Sequence, residues 1–85
     1  MIHITPIKRQ ILEVLSHTPD EHLSMYHVAA KLDEPVFRVR AELLDLGRWR
    51  LVRQDTSRRL GLTWALTDQG ERVLWGEQLE FDIHD

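Results

Sequence analysis

The period of the apolar residues changes from helical to strand spacing after Trp49, and that change restricts the folds open to this chain. Before it, three stretches show helical spacing: Ile7, Ile11, Val14 and Leu15; then Val28, Ala29 and Leu32; then Val36, Val39, Leu43 and Leu46. After it, Leu62, Trp64 and Leu66 alternate with Thr63 and Ala65, the pattern of a strand with one buried face. Each helix buries only a stripe, so the hairpin must close the side that the helices leave open.

The punctuation agrees with the periods. Thr5-Pro6 opens a first helix over about 6–17, which stops before Thr18-Pro19-Asp20. Ser24 caps a second, with His27 and Lys31 outward, and Glu34-Pro35 opens a third whose inward stripe is Val36, Val39, Leu43 and Leu46. Leu51 to Gln54 reads as a strand, and Asp55 to Gly61 as the tip of a hairpin. Thr67 caps a last helix over roughly 68–80, weakened by Gly70 and Gly76. A short strand near His22-Leu23 can pair with the free edge of the hairpin. The order predicts an α+β, mainly helical chain: a winged helix–turn–helix, with a three-helix bundle, a β-hairpin wing and a C-terminal helix. Its 85 residues fit a single domain over 1–85, with a core over 5–75 and an extension over 76–85.

Several chemistries find no support. The chain has no cysteine, so disulfides and thiolate metal sites are excluded. His17, His22 and His27 recur every fifth residue, which matches neither one helix face nor a compact zinc spacing, so no metal and no cofactor is expected. No nucleophile–base set and no phosphate-cradling glycine loop can be read, so the expectation is a binding protein and no enzyme. The opening residues lack a signal-peptide layout and no apolar run reaches membrane-spanning length, which makes a cytoplasmic protein the expectation.

The net charge of −3 conceals an asymmetry. Residues 1–34 carry −2 and residues 68–85 carry −5, while residues 35–59 carry +4. The basic residues of that middle block are all arginine: Arg38, Arg40, Arg48, Arg50, Arg53, Arg58 and Arg59. Arginine presents a rigid donor fork suited to phosphates and to the guanine edge. Charge alone leaves two readings open, a nucleic-acid footprint and a solvated face that aids solubility.

Three segments then carry a resemblance to winged helix–turn–helix transcription regulators of the MarR and PadR kind. Leu23 to Leu32 is similar to the first half of a helix–turn–helix, with Ala29 where the two helices cross. Val39, Leu43 and Leu46 running into Leu51-Val52-Arg53 resemble a recognition helix entering a wing. Ala65-Leu66-Thr67-Asp68-Gln69-Gly70 resembles the Leu-Thr-x-x-Gly passage from wing to last helix. The resemblance covers roughly residues 5–75. It departs at Asp33 and Arg50, both at positions where such regulators carry glycine.

The resemblance implies binding of double-stranded DNA, with the third helix in the major groove and its N-terminal half against base edges. The outward face of that helix holds Phe37, Arg38, Ala41, Asp45 and Arg48, flanked by Arg40 and Leu44. Arg38 is then assigned to guanine and Arg40 to a phosphate or second base. Ala41 permits close approach of the backbone, and Phe37 either meets a thymine methyl or tucks under the wing. Arg58 and Arg59 at the hairpin tip, with Arg48, Arg50 and Arg53 clustered near them, are assigned to the DNA backbone, and Ser24 to a phosphate or to capping alone. Trp64 and Trp75 are expected in core or interface; Trp49 is open between stacking and packing. The resemblance also implies a homodimer through Leu74, Leu79 and Phe81, unless the last helix simply packs back on the first. Asp45, exposed Phe37 and Leu44 and the acidic net charge keep a second reading open, a winged-helix module that grips a protein partner and does not bind DNA.

Overall fold

A computed structural model describes residues 4–17, 23–56 and 62–77. The expected caps set three helix starts. Thr5 Oγ1 accepts from the Lys8 amide at 3.4 Å, Pro6 follows it, and α1 runs Pro6–Ser16. Ser24 Oγ accepts from the His27 amide at 3.2 Å at the head of α2 (Met25–Leu32). α3 (Val36–Arg48) starts after Pro35 with no side-chain cap. Thr67 Oγ1 accepts from the Gly70 amide at 3.0 Å to start α4 (Asp68–Arg72). Between α3 and α4, β1 (Val52–Asp55) pairs antiparallel with β2 (Thr63–Leu66), Val52 opposite Leu66 and Asp55 opposite Thr63.

The helix stripes meet the hairpin in one hydrophobic core. Ile11, Leu12 and Leu15 of α1, Val28 of α2, and Val39, Leu43 and Leu46 of α3 enclose Leu51, Trp64, Val73 and Leu74. Leu23 bridges the free edge of β2 through two backbone bonds with Trp64, as the strand expected near His22-Leu23 requires; His22 lies outside the described residues. Four helices and a two-stranded antiparallel hairpin make a mainly helical winged helix, as the periods predict.

Four expectations are corrected. Thr63 and Ala65 are buried as well as Trp64, because β2 has Leu23 on one edge, β1 on the other and α1 packed over it; Leu62 and Leu66 are only half-buried. Val36, at the start of the α3 stripe, is half-buried also. The last helix does not run regularly to residue 80. Its regular part ends at Arg72, and Trp75 and Gly76 leave helical angles within an irregular turn over Val73–Glu77, Gly76 at φ 110°. Leu74 lies in the core, 1% exposed, so it is no dimer contact; the segment packs back on α1 there, while Leu79 and Phe81 lie outside the described residues.

Both helices of the helix–turn–helix end in the same way. After α2 the Glu34 amide donates to the Ala29 carbonyl and the Asp33 amide to that of Ala30, with Asp33 at φ 54°. After α3 the Leu51 amide donates to Leu46 and the Arg50 amide to Gly47, with Arg50 at φ 62°. This pair of bonds is the Schellman ending, whose left-handed residue is usually glycine. Asp33 and Arg50 adopt that conformation at about 1–2 kcal/mol each, so both turns keep the shape that glycine would give them. Gly70 answers a different need: a Cβ there would stand 2.0 Å from the Leu51 carbonyl oxygen, so α4 can press against the α3–β1 turn only through a glycine.

Candidate functional site

α3 presents one face to solvent, and its charges divide along that face. At about 100° per residue, Arg40, Leu44 and Arg48 fall in one row beside the hairpin, while Arg38, Glu42 and Asp45 fall towards α1. On the α1 side Lys8 is nearly buried, and its Nζ lies 2.6 Å from Glu42 Oε1 and 3.5 Å from Asp45 Oδ2. The same ammonium stands 5.5 Å from the centroid of the Trp49 ring, which is half-buried against the core. Nothing in the periodicity marks this cluster, because lysine in an amphipathic helix normally reads as surface.

The hairpin side is arranged in the opposite way. An open groove of about 640 Å³ runs between the C-terminal half of α3 and β1, lined by Leu44, Arg48, Arg50, Arg53, Gln54 and Thr67 over a floor of Gly47 and Val52. No carboxylate lines it. Among the described residues, Arg50 and Arg53 have no ion-pair partner, and Arg48 meets Asp45 only at 3.9 Å. The wall is fixed by hydrogen bonds: Thr67 Oγ1 donates to the Arg50 carbonyl at 2.7 Å and the Thr67 amide to the Leu51 carbonyl at 3.1 Å. Arg50 and Arg53, read from sequence only as neighbours of the hairpin-tip arginines, line the groove themselves. Their clustering with Arg48 is visible in the chain, but that all three line one groove follows only from the α3–β1 turn.

The remaining assignments fall as follows. Phe37 is 78% exposed and does not tuck under the wing, and Ala41 beside it is exposed. Arg38 is exposed, with Nε 3.8 Å from Glu34 Oε1 one turn earlier. Arg40 is exposed on the groove-side row. Ser24 is half-buried and its hydroxyl is engaged by His27, through the amide at 3.2 Å and Nδ1 at 3.0 Å. Trp64 is core, whereas Trp75 is 70% exposed. Arg58 and Arg59 lie outside the described residues. Among the described residues no group of three His, Asp or Glu side chains could hold a metal ion, and no helix is long and apolar enough to cross a membrane.

No protein-family model and no curated protein matches the sequence. Solved structures do match the fold. A variant of MepR from S. aureus bound to an oligodeoxyribonucleotide superimposes with a TM-score of 0.77 at 21% identity, over 94% of this chain and 59% of that one. A MarR family transcription regulator gives 0.76 at 23%, over 94% and 53%. ZitR from Lactococcus lactis, a zinc-responsive MarR family member, gives 0.73 at 19%, over 95% and 56%. The chain thus spans between half and three fifths of each neighbour's length. What these neighbours share with nearly the whole of this chain is its fold, the winged helix of MarR-type transcription regulators.

Proposed function

We propose that this chain is a single winged-helix domain that binds double-stranded DNA sequence-specifically as a cytoplasmic transcription regulator, and that it is not an enzyme. The observation that carries the reading is the division of α3. Its acids, Glu42 and Asp45, turn to Lys8, which leaves Phe37, Ala41, Arg40 and Arg48 on an open face beside an arginine-lined groove. The fold shared with a regulator solved on an oligodeoxyribonucleotide supports it. In this reading the N-terminal half of α3 enters the major groove, Arg38 takes guanine, Phe37 a thymine methyl, and Arg40 and Arg48 take phosphates. Arg58 and Arg59 hold the backbone from the hairpin tip, and Ser24, already spent on capping, is at most a phosphate donor. A homodimer through Leu79 and Phe81 supplies the second half-site.

Anisotropy titration against duplex DNA at several salt concentrations tests the proposal. Arg38→Ala is expected to cost about 1–3 kcal/mol on the preferred sequence and little on others. Arg58→Ala is expected to weaken all sequences alike and lower the salt slope by about one. A sedimentation equilibrium that shows only monomer at high concentration removes the dimer. One observation favours a second reading, a protein-gripping module: Phe37 at 78% and Leu44 at 38% exposure put apolar surface on the same face. Absence of duplex binding at low salt selects it.

A further inference from the structure

We propose that the groove between α3 and β1 seats one phosphodiester of the duplex, gripped by Arg50 together with Arg48 and Arg53; this rests on the DNA-binding reading above. The residue after α3 that turns left-handed would by default be glycine, yet the chain places arginine there at φ 62°. Four backbone carbonyl bonds hold that conformation in place: Leu51 to Leu46, Arg50 to Gly47, and the two from Thr67 to Arg50 and Leu51. Such strain persists where its surroundings enforce it, and it collects at ligand-gripping positions. Here its effect is to bring a third arginine to the groove lining, beside Arg48 from α3 and Arg53 from β1.

Three like charges on one groove, with no carboxylate in its lining, repel each other until an anion arrives. The form of the groove identifies that anion. A seat for a small free anion encloses it among buried donors, whereas Arg48, Arg50 and Arg53 are all exposed and the groove is open. It also continues into the row of Leu44 and Arg40 along α3, so it suits a polyanion that lies across the surface.

Arg50→Gly is the decisive variant because it acts in opposite directions on stability and binding. It relieves the left-handed backbone and is expected to raise Tm by about 4 °C. It also removes one phosphate contact, so the salt slope of duplex binding should fall by about one, with roughly fivefold to tenfold weaker binding and unchanged sequence preference. Arg53→Gln should lower the slope without the gain in Tm. Asp33→Gly, which relieves the same backbone conformation after α2, should leave the slope untouched. A wild type that does not bind duplex DNA overturns the DNA reading itself. A wild type that binds, with Arg50→Gly and Arg53→Gln keeping its slope, overturns this seat alone. If millimolar inorganic phosphate raises the wild-type Tm and Arg50→Gly abolishes that rise, the groove is a small-anion site and the duplex assignment falls.

Discussion

The two flanks of α3 handle charge in opposite ways. Towards α1, one nearly buried ammonium is neutralised twice, by Glu42 at 2.6 Å and Asp45 at 3.5 Å, and is covered by the Trp49 ring. Towards the hairpin, Arg50 and Arg53 have no acid partner among the described residues, and Arg48 has only a distant one. Charge that a fold keeps for its own stability is paired and withdrawn from water, because an unpaired buried charge costs several kcal/mol. Charge kept for a partner stays exposed and uncompensated, so its field survives until the partner meets it. A net charge of −3 therefore says little about this molecule's partners: the two acids of α3 turn to Lys8, while Arg48, Arg50 and Arg53 face the groove.

The largest expected effect tests whether the hairpin-side flank has a rigid frame. Gly70→Ala would put a Cβ 2.0 Å from the Leu51 carbonyl oxygen and 2.9 Å from Leu66 Cδ1. Backbone cannot yield as a flexible side chain does, so about 3 kcal/mol is expected, seen as a Tm lower by about 12 °C or more. A wild-type Tm would show that α4 does not clamp the α3–β1 turn. Next in size is the α1 side. Lys8→Met keeps the volume but strands Glu42, which is largely covered, and Asp45, which is not. About 2 kcal/mol is expected in chemical denaturation, below the cost of a fully buried pair because Asp45 is partly solvated. Duplex binding by Lys8→Met should keep its salt slope; a lower slope would place Lys8 on the DNA and erase the difference between the flanks.

Much of the fold is legible in the residues, and the gaps have physical causes. Thr5, Ser24 and Thr67 cap helices as read, because capping needs only a side chain and the amide three residues on. The left-handed turns at Asp33 and Arg50 are flagged by the glycines they displace, yet that Arg50 keeps the turn's shape can be seen only from its bonds. The alternation read for Thr63 to Leu66 fails because burial of β2 depends on Leu23, far away in sequence. Gly70 reads as a weak point in a helix and as the glycine of the Leu-Thr-x-x-Gly passage; that it is needed for the contact with Leu51 follows only from the fold. For the candidate site, the arginine block is plain in the sequence. Which arginines are free is not, because that depends on Glu42 and Asp45 turning to a lysine 34 and 37 residues earlier.

Smaller effects probe the exposed row and the border between the flanks. Arg40→Ala and Arg48→Ala should each change stability by no more than about 0.5 kcal/mol, since neither has a close partner among the described residues. Each should cost about 1 kcal/mol in duplex binding at low salt, and less as salt rises. Equal loss on every sequence would assign both to the backbone; a loss confined to the preferred sequence would move Arg40 to a base.

The smallest expected change is the sharpest test of the comparison, because Asp45 belongs to both sides, 3.5 Å from Lys8 Nζ and 3.9 Å from Arg48 Nη1. Its carboxylate is 42% exposed, so Asp45→Asn should cost less than about 0.5 kcal/mol of stability, while Glu42 keeps Lys8 neutralised. It also removes an acid 3.9 Å from Arg48 Nη1, so duplex affinity should rise about twofold at low salt and return to the wild-type value when salt screens the difference. A fall in affinity would mean that Asp45 holds the Arg48 guanidinium in its binding position. The acid would then belong to the interface, and the line drawn along α3 between charge kept for the fold and charge kept for a partner would be misplaced by one helical turn.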